Sequence, residues 1–434
     1  MKKSNIILFL TSLLVFTSCL FEQKDIFDKT PAERMEAFLN EYQELLESAD
    51  NGWMMEYYPD SDLSYGGYVY FLTLNEGEVS VQFQLAADVS VPVTSLYKMT
   101  PDDGPILSFD TYNKYLHYFA TPSAGEENYQ GYRGDTEFKI MGKSKDNSEI
   151  YLVGRKSGNS CTLVRNEDYN ATDYLQACNV IRDELNYPSI SSIEFQVGNI
   201  IGEAASNGEI ELNHCLYFEY PEDGNNDSED EVMVEGGFPF CTTPDGIKLY
   251  EPIEIDGAEY DFFAYDSEKN RFVSEDEYVS FNMQYTPISE QMIDSEWFIT
   301  RKNLSQAAAA AFAQSESALA KNGDAIEYLA LGIGLNNGKT YGLEFKCTKG
   351  SGTFSMNTTI KDTDKLGIKY ALKGEGDQTK YLANMLKIID CFGRLSEKTF
   401  IVETDNFKQP TIIKLTDEAD PSISMTLVKE KTAY

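Results

Sequence analysis

The clearest period along the chain is two. Val79, Val81, Phe83 and Leu85 alternate with Glu78, Ser80, Gln82 and Gln84, the pattern of a strand with one buried face. Asn75-Glu76-Gly77 supplies a turn back to a second strand-like run, Tyr68 to Leu74. Further runs of this kind are Trp53 to Tyr57, Ile106 to Asp110, Tyr115 to Ala120, Thr136 to Gly142, Glu149 to Arg155 and Ser160 to Arg165. Two segments with helical period bracket the set. The first opens at Thr30-Pro31-Ala32-Glu33, which has the capping-box spacing with proline at the first helical position. Its apolar face is Met35, Phe38, Leu39, Tyr42 and Leu46, and Asn51-Gly52 ends it. In the second, Asn170 is placed to cap, and Tyr174, Ala177, Cys178, Ile181 and Leu185 form the stripe.

A meander of about eight short strands between two helices predicts a mainly β chain with flanking helices, a β-rich α+β class. For this N-terminal unit the expectation is an up-and-down antiparallel barrel or a strongly curled sheet, an architecture that can hold one small ligand. A sandwich is the alternative, because periodicity does not show whether a sheet closes. The stretch from Tyr187 to Trp297 is again strand-rich. Within it, Pro244 to Tyr250 followed by Tyr260 to Ala264 echoes Pro101 to Leu107 followed by Leu116 to Ala120, either a degenerate duplication or a coincidence between two strand-turn-strand pieces. The run Asn303 to Lys321, with Ala307 to Ala311 inside it and Asn322-Gly323 after it, predicts a helix. Strands are expected at Tyr341 to Cys347, Thr353 to Ile360 and Lys365 to Lys373, then a helix carrying Leu382, Met385, Leu386 and Ile389 on one face. Strands Phe400 to Glu403, Thr411 to Leu415 and Ser422 to Val428 close the chain. The expected organisation is a signal peptide at 1–18, a tether at 19–29, a β-rich domain at 30–186, a second at 187–298 and an α+β domain at 299–434.

The signal peptide rests on the first residues. Met1-Lys2-Lys3 is a short basic start, Ile6 to Phe16 is apolar apart from Thr11 and Ser12, and Thr17-Ser18 puts small residues directly before Cys19. The apolar stretch is too short to remain as a spanning helix, which needs roughly 20 residues. It resembles a bacterial lipoprotein signal. That resemblance implies cleavage before Cys19, a diacylglycerol on its thiol and a further acyl chain such as palmitate on its amine.

Charge then removes one class of function. Against 36 Lys and Arg stand 71 Asp and Glu, a net charge of −35, so a nucleic-acid partner is not expected. Adhesion to anionic lipid is disfavoured for the same reason, which leaves membrane attachment to the acyl anchor. Cys161, Cys178, Cys215, Cys241, Cys347 and Cys391 are scattered singly without a CxxC pair, as small buried hydrophobes are; pairing among them is open.

Motifs for chemistry are sparse. Gly332 to Thr340 suggests a phosphate-binding loop, but no glycine stands five residues before Gly338, and a strand follows where a helix is required, so a hairpin turn is expected. In the acidic run Pro221 to Glu231, Ser228 replaces the glycine of a calcium loop and Val234 its final glutamate, so a solvated loop is expected. His117 and His214 are the only histidines, and HExxH and GxSxG are absent. No cofactor is expected. A glycan hydrolase needs only two carboxylates, yet no pair stands out among so many. Trp53, Tyr57, Tyr58, Tyr65, Tyr68 and Tyr70 crowd together, as rings that fill a strand's inner face or stack on a flat ligand.

Asn51-Gly52-Trp53, Tyr65-Gly66-Gly67-Tyr68, Gly104 to Asn113, Leu116-His117 and Gly134 to Phe138 together resemble a Bacteroidetes lipoprotein family catalogued as domain of unknown function 4302, most densely up to Arg165. The resemblance implies an accessory lipoprotein encoded near a TonB-dependent transporter and a starch-utilisation-type binding lipoprotein, and hence nutrient capture at the outer membrane. Leu20 after Cys19 resembles an outer-membrane sorting choice, and Glu22 to Asp25 only partly resembles a surface-export signal. The leading expectation is a non-enzymatic binding or accessory module for a glycan or other organic nutrient, with a carboxylate-dependent glycan hydrolase and an adhesin-like structural subunit as alternatives. Trp53, Tyr65, Tyr68, Asp110, Tyr112, Asn113 and Asp135 are the candidate ligand contacts, being polar or aromatic groups beside glycines at strand ends. Asp110 and Asp135 have a competing role as turn-makers that bond backbone amides.

Overall fold

The computed structural model describes residues 29–122, 131–206, 212, 214–222, 232–333 and 341–434. Cys19 and the signal segment, most of the acidic run and most of the Gly332 to Thr340 run lie outside the described residues. The chain is mainly β with helices between the sheets. It divides into two compact units, Met1–Leu175 and Gln176–Tyr434.

The first unit opens with helix α1, Pro31–Glu47, whose capping box forms as its sequence requires: Thr30 Oγ1 accepts from the Glu33 amide and the Glu33 carboxylate accepts from the Thr30 amide. Its strands are β1 (Trp53–Tyr57), β2 (Tyr68–Asn75), β3 (Glu78–Phe83), β4 (Val93–Leu96), β5 (Lys98–Thr100), β6 (Ile106–Ser108), β7 (Glu137–Lys143), β8 (Glu149–Gly154) and β9 (Ser160–Arg165). They form one antiparallel sheet in the order β4-β3-β2-β1-β9-β8-β7-β6-β5. Its edge strands are consecutive in sequence, separated only by Tyr97, so a single extended run pairs with β3 at its start and with β6 at its end. The curled sheet thereby meets itself through residues 93–100, and no sandwich forms. Tyr97 is pinned at this seam: its amide donates to the Gly77 carbonyl at 2.9 Å and its hydroxyl to Glu47, the last residue of α1, at 2.6 Å.

One expected strand is not a strand. Residues 114–120 form successive turns, because the Asn113 side chain accepts from the amides of Tyr115 and Leu116 as a helix cap does. Tyr115, Leu116 and Phe119 then fall on one side of a helical turn and are buried as a plug inside the barrel. Phe119 packs against Tyr57, Tyr68 and Phe83, with ring centroids 5.0–6.0 Å apart. The interior expected to hold a small ligand is filled by these side chains.

The second unit contains two closed antiparallel barrels of eight strands, spanning Ile190–Tyr285 and Trp297–Val428, each in simple up-and-down order. Helix α2 (Ala171–Glu184) precedes the first of them and short helix α3 (Ile288–Ile293) the second. Phe195, Phe218, Phe238, Phe240, Phe263 and Phe281 pack the Ile190–Tyr285 barrel. Helices α4 (Gln306–Ala320) and α5 (Gln378–Cys391) cover the last barrel, where the sequence placed them.

The first and last barrels share a local arrangement at their starts. Trp53 and Trp297 each begin the first strand of a barrel, and each donates its indole N–H to a carbonyl of the preceding helix region, Leu46 at 2.9 Å and Met292 at 3.1 Å. Each ring also lies under a cation from the end of the last strand, Arg165 at 4.8 Å and Lys429 at 5.8 Å. The echo between Pro101 to Leu107 and Pro244 to Tyr250 falls on matching turns, from the fourth barrel strand to the fifth, if β4 and β5 count as one. Its second half does not match, since Tyr260 to Ala264 is strand and Leu116 to Ala120 is plug. All six cysteines after Cys19 are buried, and burial pushes the Cys391 thiol up to about 11.

Candidate functional site

The crowded aromatics near the start of the chain separate into an interior set and a rim set. Trp53, Tyr57, Tyr68 and Tyr70 are buried in the barrel. The candidate contacts Trp53, Tyr68, Asn113 and Asp135 are thus corrected to parts of the framework, because their polar atoms are engaged inside it. The Tyr68 hydroxyl donates to the Tyr65 carbonyl at 2.9 Å. Asn113 Nδ2 donates to the Val93 carbonyl at 3.0 Å, tying the plug to the seam strand. Asp135 accepts from the amides of Lys156 (2.6 Å) and Ser157 (3.1 Å) with one oxygen and from the Tyr57 hydroxyl (3.3 Å) with the other. Burial, with the Asp135 charge behind it, pushes the Tyr57 hydroxyl well above its ordinary value and keeps it a donor.

Asp110 and Tyr112 lie at the surface. Asp110 pairs with Lys98 at 2.5 Å, and the Lys98 contact lowers its pKa. Tyr112 is 71% exposed, its ring centroid 5.4 Å from that of His117. Partial burial lowers the pKa of His117, and the Asn113 carbonyl beside its Nδ1 opposes that shift. It is a packed imidazole.

Tyr65 belongs to a more developed arrangement. Its ring meets Tyr132 edge-on at 5.0 Å, and Tyr132 stacks with Tyr118 at 6.1 Å with planes 13° apart. All three are half-buried, and Tyr118 and Tyr132 rest on buried Phe119. Next to Tyr132 in the chain, Arg133 reaches Asp60, which is 2% exposed, at 3.1 Å and exposed Asp62 at 3.8 Å. Three chain segments meet here: the β1–β2 connection, the plug, and the residues leading into β7.

The backbone is strained at this rim. Asp60, Leu63 and Arg133 take φ of +64°, +57° and +55°, a region that costs a non-glycine residue roughly 1–2 kcal/mol. Such strain persists where surrounding contacts over-determine it, and it gathers at ligand sites. Gly131, at φ +58°, has no room for a side chain, since a Cβ would lie 2.6 Å from the Thr121 carbonyl oxygen. Of the candidate contacts only Tyr65 lies in this arrangement, and Tyr118, Tyr132, Arg133 and Asp60 beside it were not singled out by the sequence. The available signal was the glycine-bracketed run Gly131-Tyr132-Arg133-Gly134.

Carboxylates are also organised on the outside of the Ile190–Tyr285 barrel. Glu194, Glu203, Glu219 and Glu235 stand directly opposite one another on four neighbouring strands. Tyr217, 49% exposed, lies on the same face, and hollows of about 390 and 360 Å³ flank the row. Two-carboxylate hydrolysis needs environments that differ, one favouring the acid and one the anion. Glu203, Glu219 and Glu235 share one environment, outward-facing and exposed. Among the described residues no group of three His, Cys, Asp or Glu is placed to hold a metal, and no helix is long and apolar enough to cross a membrane.

The fold defines a mainly β protein of antiparallel barrels, the first of them filled by its plug. The chain belongs to the family described as domain of unknown function (DUF4302), whose model matches residues 23–267. That match takes in the first barrel and most of the second. No curated relative matches the chain. Among solved structures, Caulobacter crescentus pol III beta is 12% identical, covering 91% of this chain and 98% of that one, at a TM-score of 0.13. A DnaN sliding clamp (DNA polymerase III subunit beta) from Bartonella birtlesii, bound to griselimycin, is 10% identical, covering 92% and 98%, at a TM-score of 0.11. Scores this low carry no argument about fold or function.

Proposed function

We propose that the protein is a non-enzymatic, lipid-anchored binding or accessory module of the outer membrane, which takes a glycan or other organic nutrient on the tyrosine rim of its first barrel. The observation that carries this reading is the contact group Tyr65, Tyr118 and Tyr132, seated on the core beside the Arg133–Asp60 pair. Part-exposed rings give a sugar's apolar face a stacking surface, and the half-exposed Arg133 guanidinium, held by buried Asp60, gives its hydroxyls a donor. The filled interior supports a surface site over an internal cavity. A TonB-dependent transporter and a starch-utilisation-type binding lipoprotein are the proposed partners, and the acyl group on Cys19 the proposed membrane attachment.

Two experiments test the two halves of this reading. Cys19→Ala is expected to abolish metabolic labelling with a palmitate analogue and to release the protein from the membrane fraction; unchanged labelling would remove the anchor. A glycan array probed with the mature chain is expected to return binders among neutral saccharides, and silence there and in a calorimetric screen of other organic nutrients would remove the ligand reading.

A further inference from the structure

A lysine of the last barrel sits in a cage built by the end of helix α2, the connection after it and the barrel that follows. Lys408 lies in the strap of residues 405–411 between strands Lys398–Thr404 and Ile412–Asp417. Its ammonium is 2.6 Å from Glu184 Oε2 and 3.0 Å from the Tyr265 hydroxyl, which itself donates to the same carboxylate oxygen at 2.7 Å. Three rings surround it, with centroids of Tyr187, Tyr265 and Tyr285 at 5.7, 5.8 and 5.6 Å. That is within cation–π range for Tyr187 and Tyr285, while at Tyr265 the ammonium meets the hydroxyl at the ring's edge. The Lys408 and Glu184 side chains are only 14% and 12% exposed.

The surroundings hold the strap in this pose. The Asp405 carboxylate accepts from the amides of Thr411 and Ile412 at 3.1 and 3.0 Å, which closes the strap on itself. The Ser189 hydroxyl donates to the Lys408 carbonyl at 2.5 Å and Gln291 Nε2 to the Phe407 carbonyl at 2.9 Å. Phe407 meets Tyr285 edge-on at 5.2 Å. A hollow of about 160 Å³ is lined in part by Ser189, Gln291 and Lys408.

We propose that Glu184, Tyr187, Tyr265 and Tyr285 form an ammonium-binding cage, that Lys408 fills it as an internal ligand, and that the strap thereby holds the two barrels of the second unit as one body. The chemistry is selective. A primary ammonium satisfies the carboxylate and the Tyr265 hydroxyl while lying near the Tyr187 and Tyr285 rings, whereas a neutral group of equal size leaves a nearly buried carboxylate without a counter-charge, which is costly. The device does not depend on the ligand reading of the first barrel.

The test uses the mature chain with Lys408→Ala and hydrogen exchange as readout. Amides of residues 187–190 and 405–411 are expected to exchange about tenfold faster than in the unaltered protein, as local opening becomes easier. Added n-butylammonium chloride is expected to restore protection in the variant, to leave the unaltered protein unchanged, and to act where n-butanol does not. Equal rescue by n-butanol would reduce the site to an apolar cavity, and unchanged exchange would remove the latch. Should Lys408→Ala fail to fold, the same-sized change Glu184→Gln is expected to loosen the same two segments, and exchange equal to the unaltered protein would overturn the proposal.

Discussion

Replacing Trp53 with alanine is expected to destabilise the first barrel by about 3–5 kcal/mol, the range for truncating a large buried aromatic side chain. The ring is 0% exposed and starts the first strand of the barrel. Its indole N–H holds the Leu46 carbonyl of α1, and Arg165 from the last strand lies over its face, so the truncation loosens both the helix and the join between β1 and β9. Packing is tight around it and a cavity would remain. Because Trp53 and Trp297 are the only tryptophans, the variant leaves Trp297 as the sole indole fluorophore, in the last barrel. Circular dichroism should therefore show an early loss of strand signal while Trp297 fluorescence keeps its original midpoint. A change under about 1 kcal/mol would place Trp53 outside the core and reopen it as a ligand platform.

Asp135→Ala is expected to cost about 3 kcal/mol, since hydrogen bonds to charged groups contribute roughly 1.5–3 kcal/mol and their loss strands buried donors. The amides of Lys156 and Ser157 and the Tyr57 hydroxyl would all lose their acceptor. Asp135→Asn should cost far less. Its amide oxygen can face the two backbone donors, while its NH₂ group faces the Tyr57 oxygen. Urea unfolding of both variants separates a structural tie from a ligand contact: a tie gives this ranking in stability, whereas a contact leaves the midpoints alone and changes only binding.

Local rules made much of the fold legible. The capping box at Thr30, the clean alternation of β3 and the bounds of β1 follow from hydrogen-bond supply and the two-residue pleat, and the structure repeats them. Closure of the sheet did not follow, because it depends on residues 93–100, where two runs of four and three residues pair on opposite sides of Tyr97. Segments so short carry no period. The plug was misread for a related reason. Tyr115, Leu116, Tyr118 and Phe119 are strand-forming by composition, and only the Asn113 cap and the depth of the barrel turn them into a helical stop. The rim was only one-quarter visible by its aromatic and basic members. Tyr65 stood beside conspicuous glycines, but Tyr118, Tyr132 and Arg133 are assembled by left-handed backbone at Asp60, Leu63 and Arg133, which residue type does not announce.

The duplicated tryptophan arrangement bears on how the rim came to be specific to one barrel. Trp53 and Trp297 make equivalent contacts with a helix carbonyl and a cation, arginine at one and lysine at the other, whereas Tyr65, Tyr118 and Tyr132 lie in connections of the first barrel. Frame and rim are thus separable: the strands hold the connections, and the connections carry the rim's tyrosines.

The most direct measurement of the proposed function is calorimetric titration of the best binder from the saccharide array into the mature chain and into its Tyr65→Ala and Tyr132→Ala variants, with a thermal melt on each. Stacking on the rim predicts that each variant binds about tenfold more weakly or worse, equivalent to about 1.4 kcal/mol, with Tyr65→Ala melting as the unaltered protein does. Full affinity in both variants, or a loss that tracks a lowered melting temperature, would contradict it.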